Sequence, residues 1–336
     1  MFILNSCEES YSMKNFESFL APQLNTFIAY RQDLGYSIKP TRSYLLCFDR
    51  YVKDQKIKPG VLQPSFFLEL RNSLKMEPMS INHLLSSVRV FFNFMVRTDY
   101  YKANPLRHIP PLPEHSFAPF IFSPEQTDQF IEAVCKRIRK EPGHYLKDWS
   151  EYMAMVLIAR CGLRIKEPMR LQLHHYRCRE RTIYIEKTKF NKDRLIPVPK
   201  SVAADLDNYL AVRKALMAED HNPYLFVGNK QKGLTDPRLR FVFHRAVHDI
   251  GIDRPRQVIG HMIFASPTPH SLRHSFAVNT LKRVKDRSDC PQHALPVLAT
   301  YLGHLVYQDT AKYLKFIDAE QRQGLFDFAV SKKVDI

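Results

Sequence analysis

The sequence predicts a mainly α-helical protein that carries a small β-hairpin and divides into two domains. Apolar residues recur at spacings of three and four through most of the chain, which is typical of buried helix faces. Two short runs, over residues 182–186 and 194–198, are instead rich in β-branched residues. The chain has 336 residues. A single hydrophobic core usually stops growing near roughly 250 residues, so two domains are expected.

A cluster of prolines separates the two expected domains. Asn104-Pro105 is followed by Pro110, Pro111 and Pro113. Because proline fixes φ and has no backbone donor, this stretch is predicted to be a semi-rigid linker. The expected divisions are a loose tail over residues 1–14, an all-helical domain over 15–108, the linker over 109–120 and a larger, mixed α and β domain over 121–336.

The amino-terminal domain is predicted to contain about four helices. Two of them cover residues 19–34 and 41–53, with Gly35 and Pro40 between them. The clearest helix covers residues 80–97, and its apolar residues form one stripe. That stripe consists of Ile81, Leu84, Leu85, Val88, Phe91, Phe92 and Met95.

The larger domain is predicted to begin with helices and to contain the hairpin. Ser123 is a suitable N-cap, and Pro124 stands at the first helical position. The helical pattern continues through residues 149–159, which are apolar nearly all round and predict a core helix. The two β-branched runs flank a polar connection and predict the hairpin. Further helices are predicted over residues 203–218, 237–250 and 267–285, followed by helix with breaks up to residue 328.

The composition indicates a polyanionic partner and a reducing compartment. The 50 Lys and Arg residues outnumber 34 Asp and Glu residues, which gives a net charge of +16 and attracts nucleic acid first. The six cysteines are scattered without a C-x-x-C pair, a spacing that fits neither a zinc ribbon nor a disulfide framework. The start lacks a basic segment before its apolar residues, and no run approaches 18 apolar residues. We therefore expect a cytoplasmic protein without a membrane partner.

An ordered set of residues near the carboxyl end indicates phosphodiester chemistry. His270-Ser-Leu-Arg273 is followed by Leu302-Gly-His304 and then by Tyr313. Arginine binds two phosphate oxygens with a planar fork, histidine exchanges protons, and a tyrosine hydroxyl can attack phosphorus. In a very basic chain, this combination points to DNA strand cleavage.

Two arginines are the candidates for binding the scissile phosphate. The attacked phosphodiester gains negative charge on its non-bridging oxygens, and the sequence has no carboxylate cluster of the kind that holds metal ions. Arg164, which follows a turn at Gly162, and Arg273 can take the place of a metal. For any single arginine, a surface salt bridge is the plainer interpretation, and for any single histidine it is a structural role. Tyr313 competes with fifteen other tyrosines, of which Tyr307 is the nearest rival.

These motifs together resemble the active-site signature of the tyrosine recombinases, the family of phage integrases and Xer-type recombinases. The signature consists of Cys161-Gly-Leu-Arg164-Ile-Lys-Glu167, Lys189-Phe-Asn-Lys-Asp-Arg194, His270-Ser-Leu-Arg273-His274, Leu302-Gly-His304 and Tyr313, in this order. The resemblance extends from about residue 15 and includes a helical module similar to the family's core-binding domain. The sequence departs from the family at Pro168 and in a longer stretch over residues 283–296.

The resemblance implies a role for each motif. The catalytic set would be Arg164, Lys189, His270, Arg273, His304 and Tyr313. Tyr313 would be the nucleophile. Lys189 would be the general acid for the departing 5′-oxygen, with Lys187 as the alternative. His270 would accept the tyrosine's proton or hold the phosphate, and His304 would donate a hydrogen bond to it.

The remaining motif residues are assigned supporting positions. Glu167 is expected to orient Arg164 or to cap a helix. His274 and His261 are expected to be structural.

The function expected from this resemblance is site-specific DNA recombination or integration through a 3′-phosphotyrosine intermediate, without metal, ATP or another cofactor. The partners would be double-stranded DNA, further copies of the chain in a synaptic tetramer, and related recombinases. Two alternatives stay open. A type IB topoisomerase would relax supercoils with the same chemistry, and a catalytically silent DNA-binding protein would tolerate loss of Tyr313.

Overall fold

The chain divides into two compact units, Met1–Ser116 and Phe117–Ile336. The computed structural model describes residues 15–186, 193–217, 219–229, 232–287, 289–304 and 306–316. Over these residues the secondary structure is mainly α-helical with two small three-stranded sheets, which confirms the predicted fold class. Within them, no helix combines the length and the apolar composition that crossing a bilayer requires.

The first unit is helical and encloses one hydrophobic core. The predicted apolar stripe of its last helix is buried, together with Phe94. Aromatic rings meet edge to face in this core, as in the pair of Phe27 and Phe91 with centroids 5.6 Å apart. Its helices are α1 (Ala21–Asp33), α2 (Lys39–Asp54), α3 (Pro64–Ser73) and α4 (Pro78–Arg97).

Proline positions explain where this unit differs from its prediction. Pro40 was expected in the connection before α2 but lies in the first turn of that helix. Proline is tolerated there because backbone N–H groups in the first turn have no partner within the helix. The same rule applies to α3 and α4, which begin at Pro64 and Pro78. The bounds of α3 were not predicted from the sequence.

The proline-rich stretch after α4 is held by side chains of the first unit. Arg89 donates to the carbonyl oxygens of Leu106 and Ile109, at 3.2 and 2.8 Å. Asn82 bonds both backbone groups of Leu112, at 2.8 and 2.9 Å. Because prolines supply no donors here, polar side chains satisfy the backbone instead. The boundary between the two units lies after Ser116, a few residues beyond Leu112.

The second unit is built around a helix buried on nearly all sides, as the sequence predicted for residues 149–159. A non-helical connection precedes it, so the pattern starting at Ser123 forms two helices. Ser123 closes a capping box with Gln126, which confirms the predicted helix start. The helices are α5 (Pro124–Cys135), α6 (Pro142–Cys161), α7 (Lys200–Leu216), α8 (Asp236–Asp249), α9 (Pro269–Asp286), α10 (Pro291–Leu302) and α11 (Tyr307–Ala311).

One sheet contains the predicted hairpin. Its strands are β2 (Tyr176–Arg177), β3 (Thr182–Ile185) and β4 (Arg194–Pro197), in the order β2-β3-β4. β3 and β4 are antiparallel, and Ile183 faces Ile196 in the core. The connection that carries Lys187 and Lys189 covers residues 187–192 and lies outside the described residues.

The other sheet was not predicted. It has the order β1-β6-β5, formed by β1 (Ser116–Ala118), β5 (Gln257–Ile259) and β6 (Met262–Phe264). Strands of three residues are too short to show an alternating pattern, and most of their side chains are exposed.

Two helices cover the long interval between the carboxyl-terminal motifs. α9 continues to Asp286, and α10 begins at Pro291 and includes Pro296. Both helices contribute to a second hydrophobic cluster, in which Leu281 and Leu298 pack with Tyr313. The prediction of helix over residues 317–328 lies outside the described residues.

Candidate active site

The end of α6 sets the position of Arg164. Gly162 terminates this helix in the left-handed region at φ 62°. A Cβ at this position would stand 2.5 Å from Cδ1 of Phe276, so both the conformation and the space require glycine. The chain therefore turns sharply after the buried helix and presents Arg164 two residues later.

Glu167 joins two arginines. Its carboxylate accepts from the backbone N and Nη1 of Arg164, at 2.8 and 3.0 Å. It also accepts from Nη1 and Nη2 of Arg194, at 3.0 and 2.8 Å. Burial alone would raise the pKa of Glu167, but the hydrogen bonds and charge of Arg194 lower it below the usual range. Glu167 thus orients Arg164, as the sequence suggested, and ties it to strand β4.

Arg273 is fully buried on α9 and binds the ends of two other helices. Its Nη1 donates to the carbonyl oxygen of Gly162 at 2.7 Å, and its Nη2 donates to that of Leu302. A helix C-terminus carries partial negative charge, so both contacts favour the cation. Burial, followed by the charge of Arg164, lowers the pKa of Arg273 to about 9, which keeps it protonated at neutral pH. Its Nε has no hydrogen-bond partner among the described residues.

His270 stands in the first turn of α9 beside a recess of about 740 Å³. Arg164, Lys166, Arg170 and Arg240 also line this recess together with two carboxylates, so its lining is net basic. His270 itself is exposed and lines the recess. Removal from bulk water, then the charges of Arg273 and Arg164, lower the pKa of His270 to about 4. The imidazole is therefore neutral at pH 7.

His304 follows the glycine that ends α10. Gly303 is left-handed at φ 67°, and its carbonyl oxygen accepts from Nη2 of Arg164 at 3.2 Å. The Nδ1 of His304 bonds Oγ1 of the buried Thr310 at 2.7 Å. Burial, then the charge of Arg273, lower the pKa of His304 to about 4.

Tyr313 lies just beyond α11 with its ring in the second hydrophobic cluster and is 4% exposed. Its Oη is 2.9 Å from Nδ1 of His274, and the two ring centroids are 5.6 Å apart. Burial raises the pKa of the Tyr313 hydroxyl, while the charges of Arg273 and then Arg164 lower it. The phenol therefore lies within the field of both arginines.

The structure groups most of the predicted site residues at the meeting point of α6, α9 and α10. These are Arg164, His270, Arg273, His304 and Tyr313. Lys189 lies outside the described residues, between β3 and β4. The rival Tyr307 is 46% exposed at the start of α11.

Two further residues at this site, His274 and Arg194, were assigned no chemistry from the sequence. His274 was expected to be structural, yet it bonds the Tyr313 hydroxyl. Its spacing of four from His270 was a usable signal, because residues i and i+4 share a helix face, and the two ring centroids are 4.3 Å apart. Arg194 belongs to the hairpin motif, but its partner Glu167 is far away in sequence and gave no local signal.

Comparison with known proteins identifies the class. The model of the phage integrase family matches residues 122–319, more than half of the chain. The chain therefore belongs to the phage integrase family, which confirms the resemblance, and its function is that of a site-specific DNA recombinase.

Relatives of similar length support this assignment. A Sinorhizobium fredii protein named as an integrase/recombinase, y4rB, is 27% identical over 289 residues, covering 86% of this chain and 90% of the relative. The tyrosine recombinase XerA of Pyrococcus furiosus is 25% identical over 312 residues, covering 90% of this chain and 94% of the relative.

Solved structures share the fold. The XerH recombinase in a post-cleavage complex with palindromic difH DNA has a TM-score of 0.65 at 17% identity, covering 90% of this chain and 83% of that one. The Tn1549 transposon integrase with circular intermediate DNA has a TM-score of 0.61 at 18% identity, covering 91% of this chain and 100% of that one.

Proposed function

We propose that the chain cleaves and rejoins duplex DNA through a 3′-phosphotyrosine intermediate formed by Tyr313. The observation that carries the proposal is the convergence of two guanidinium groups, Arg164 and Arg273, with a histidine-bonded phenol at one meeting point of helices. A phosphate bound there would receive charge stabilisation and face a nucleophile in the same place.

The arginines would stabilise the pentacoordinate transition state. Negative charge grows on the non-bridging oxygens as the Tyr313 oxygen approaches phosphorus, and fixed guanidinium groups can match that charge. Arg164 is 30% exposed and lines the recess, so it is available to an incoming phosphate. Arg273 is buried and held by main-chain oxygens, and its positive charge would stabilise the phosphate from within the protein.

Histidines and a lysine would complete the site. Neutral His270 would hold a phosphate oxygen at the recess, which is the second of the roles considered for it. His304, fixed through Thr310, would donate to another oxygen. Lys189, in the connection between β3 and β4, would protonate the departing 5′-oxygen, as the resemblance to the family implies.

The reaction needs neither ATP nor metal in this proposal. The phosphotyrosine bond replaces the broken phosphodiester bond with little change in free energy, so a 5′-hydroxyl from another strand can reverse the step. Charge stabilisation comes from the two arginines, which are cations at neutral pH. The natural setting would be the cytoplasm, where duplex DNA is available.

The two units would divide the work on DNA. The helical unit over residues 15–108 would act as the core-binding domain and the unit after the linker as the catalytic domain, so that both contact one duplex. Strand exchange requires two duplexes, so the working assembly would be a synaptic tetramer of this chain or of this chain with related recombinases. The excess of basic residues supports phosphate-driven binding.

Covalent capture tests the proposal. Wild-type protein incubated with a library of nicked random-sequence duplexes should yield protein–DNA adducts resistant to denaturant, whose sequences define the target site. Tyr313→Phe should bind that site with unchanged affinity and form no adduct, because it lacks the nucleophile. Tyr307→Phe is the matched control and should form adducts at the wild-type rate. An adduct with Tyr313→Phe would contradict the assignment, and none with wild type would favour a silent DNA-binding protein.

A supercoiled plasmid that lacks the captured site separates recombinase from type IB topoisomerase. The recombinase should leave it supercoiled, because synapsis depends on the site. Rapid relaxation of this plasmid would favour the topoisomerase.

A further inference from the structure

His274 occupies a position that the roles above leave unused. It stands on α9 one residue after Arg273, and its Nδ1 lies 2.9 Å from the Tyr313 oxygen. His270 packs edge to face against its ring, with centroids 4.3 Å apart. Among the described residues, His274 is the imidazole with a hydrogen bond to the Tyr313 hydroxyl.

We infer that His274 is the proton acceptor for the Tyr313 hydroxyl during strand cleavage, an inference that rests on the proposed function. Proton acceptance requires an acceptor within hydrogen-bond reach of the proton, and the geometry of His274 meets that requirement before DNA binds. In this arrangement His274 carries its own proton on Nε2 and presents the lone pair of Nδ1 to the phenol.

The proton and bond changes balance with this assignment. As the bond between Tyr313 Oη and phosphorus forms, the phenolic proton passes to Nδ1 of His274. The bond between phosphorus and the 5′-oxygen breaks, and that oxygen takes a proton from Lys189. In rejoining, the incoming 5′-hydroxyl returns a proton to Lys189. The imidazolium then returns its proton to the departing Tyr313 oxygen.

Before DNA binds, the surroundings of His274 keep its imidazole neutral and able to accept a proton. Burial, followed by His270, Arg273 and His304, lowers the pKa of His274 to about 3, so the ring is neutral at pH 7. A bound phosphodiester places negative charge beside the arginines and opposes their effect on the ring. The basicity of His274 should therefore rise when the scissile phosphate is in place.

His274→Asn is the informative variant. An asparagine amide can place an acceptor oxygen near the position of Nδ1 and keep the hydrogen bond, but it does not take up a proton at neutral pH. His248→Asn makes the same change at an exposed histidine of α8 and is the matched control. Thermal unfolding and DNA affinity of both variants should equal those of wild type, which separates a chemical defect from misfolding.

The test measures single-turnover cleavage of the captured site on two substrates. One has the ordinary scissile phosphodiester, and the other has a sulfur in place of the bridging 5′-oxygen. A thiolate departs without protonation, so the second substrate bypasses the general acid and not the base. His274→Asn should slow cleavage of both by about 100-fold or more, in the range of general base catalysis. Lys189→Ala should be slow on the oxygen substrate alone, and His248→Asn should match wild type on both.

Two results would overturn the inference. Cleavage by His274→Asn within about 3-fold of wild type would show that the histidine only packs against the ring. Recovery of His274→Asn on the sulfur substrate would place His274 at the leaving group. Both results leave the proposed function intact as long as Tyr313 forms the adduct, whereas a wild-type protein without any adduct removes the proposed function as well.

Discussion

Replacing Glu167 by glutamine should destabilise the second unit and misplace Arg164. The carboxylate accepts from Arg164 N and Arg194 Nη2 with one oxygen, and from the Nη1 atoms of both arginines with the other. An amide in either orientation turns one of these oxygens into a donor, which then faces two N–H groups. Two hydrogen bonds and the negative charge are lost together.

The size of the effect follows from burial. Glu167 and the Arg194 side chain are 9% and 8% exposed, so an unpaired Arg194 would stay inside the protein. Removing one partner of a buried pair costs about 3–5 kcal/mol, and the lower end applies because water reaches Arg164. A loss of about 3 kcal/mol lowers the melting temperature of a unit this large by roughly 6–12 °C.

The only tryptophan provides an assay specific to this unit. Trp149 lies on α6 and meets Tyr209 edge to face, with ring centroids 5.8 Å apart, so its fluorescence reports unfolding of the second unit. Glu132→Gln is the matched control, because its pair with Lys136 is exposed, and it should shift stability by less than about 0.5 kcal/mol. Equal shifts for the two variants would refute the role assigned to Glu167.

The same pair predicts a dependence on pH. The pKa of Glu167 is lower in the folded chain than its usual value, so its carboxylate stabilises the fold above the unfolded-state pKa of about 4.3. That contribution disappears as the pH falls through the lower, folded-state pKa. The difference in melting temperature between wild type and Glu167→Gln should therefore be largest near pH 7 and should decrease as the pH falls below about 4.3.

Two further substitutions test other parts of the site. Gly162→Ala should destabilise the second unit more than Gly251→Ala. Both glycines have positive φ, but only at Gly162 would the new Cβ contact a ring, that of Phe276. Equal melting temperatures of the two variants would contradict this prediction. Lys166→Ala should reduce the magnitude of the slope of log affinity against log salt concentration by about 0.9 in a DNA titration, because it removes one phosphate contact at the recess. Lys136→Ala removes an exposed lysine at the end of α5 and should leave that slope unchanged.

The sequence was informative wherever chemistry depends on local spacing. His270 and Arg273 are three residues apart, which places both near one face of a helix, and the turn expected at Gly162 is the helix end that Arg273 contacts. The hairpin followed from its β-branched runs. In each case the signal lies within a few neighbouring residues.

The partner of Tyr313 could not be read in the same way. From their spacing on α9, His270 and His274 are equally good partners for the Tyr313 hydroxyl. Which of them bonds it depends on how α10 and α11 pack Tyr313 against α9. The pair of Glu167 and Arg194 likewise depends on packing between distant segments. The sheet containing β5 has strands too short to leave a pattern.

The contacts of Arg273 affect how this chain can diverge over evolutionary time. Both carbonyl groups that accept its hydrogen bonds belong to the main chain, so they persist whichever side chain occupies position 302. Side chains around the Arg273 guanidinium can therefore change without loss of these two hydrogen bonds, provided that α6 and α10 still end at the same residues. Among Arg273 and the two residues it contacts, intolerance to substitution should therefore be greatest at Arg273 and Gly162 and smaller at Leu302, and a saturation library of these three positions scored for adduct formation would display that contrast.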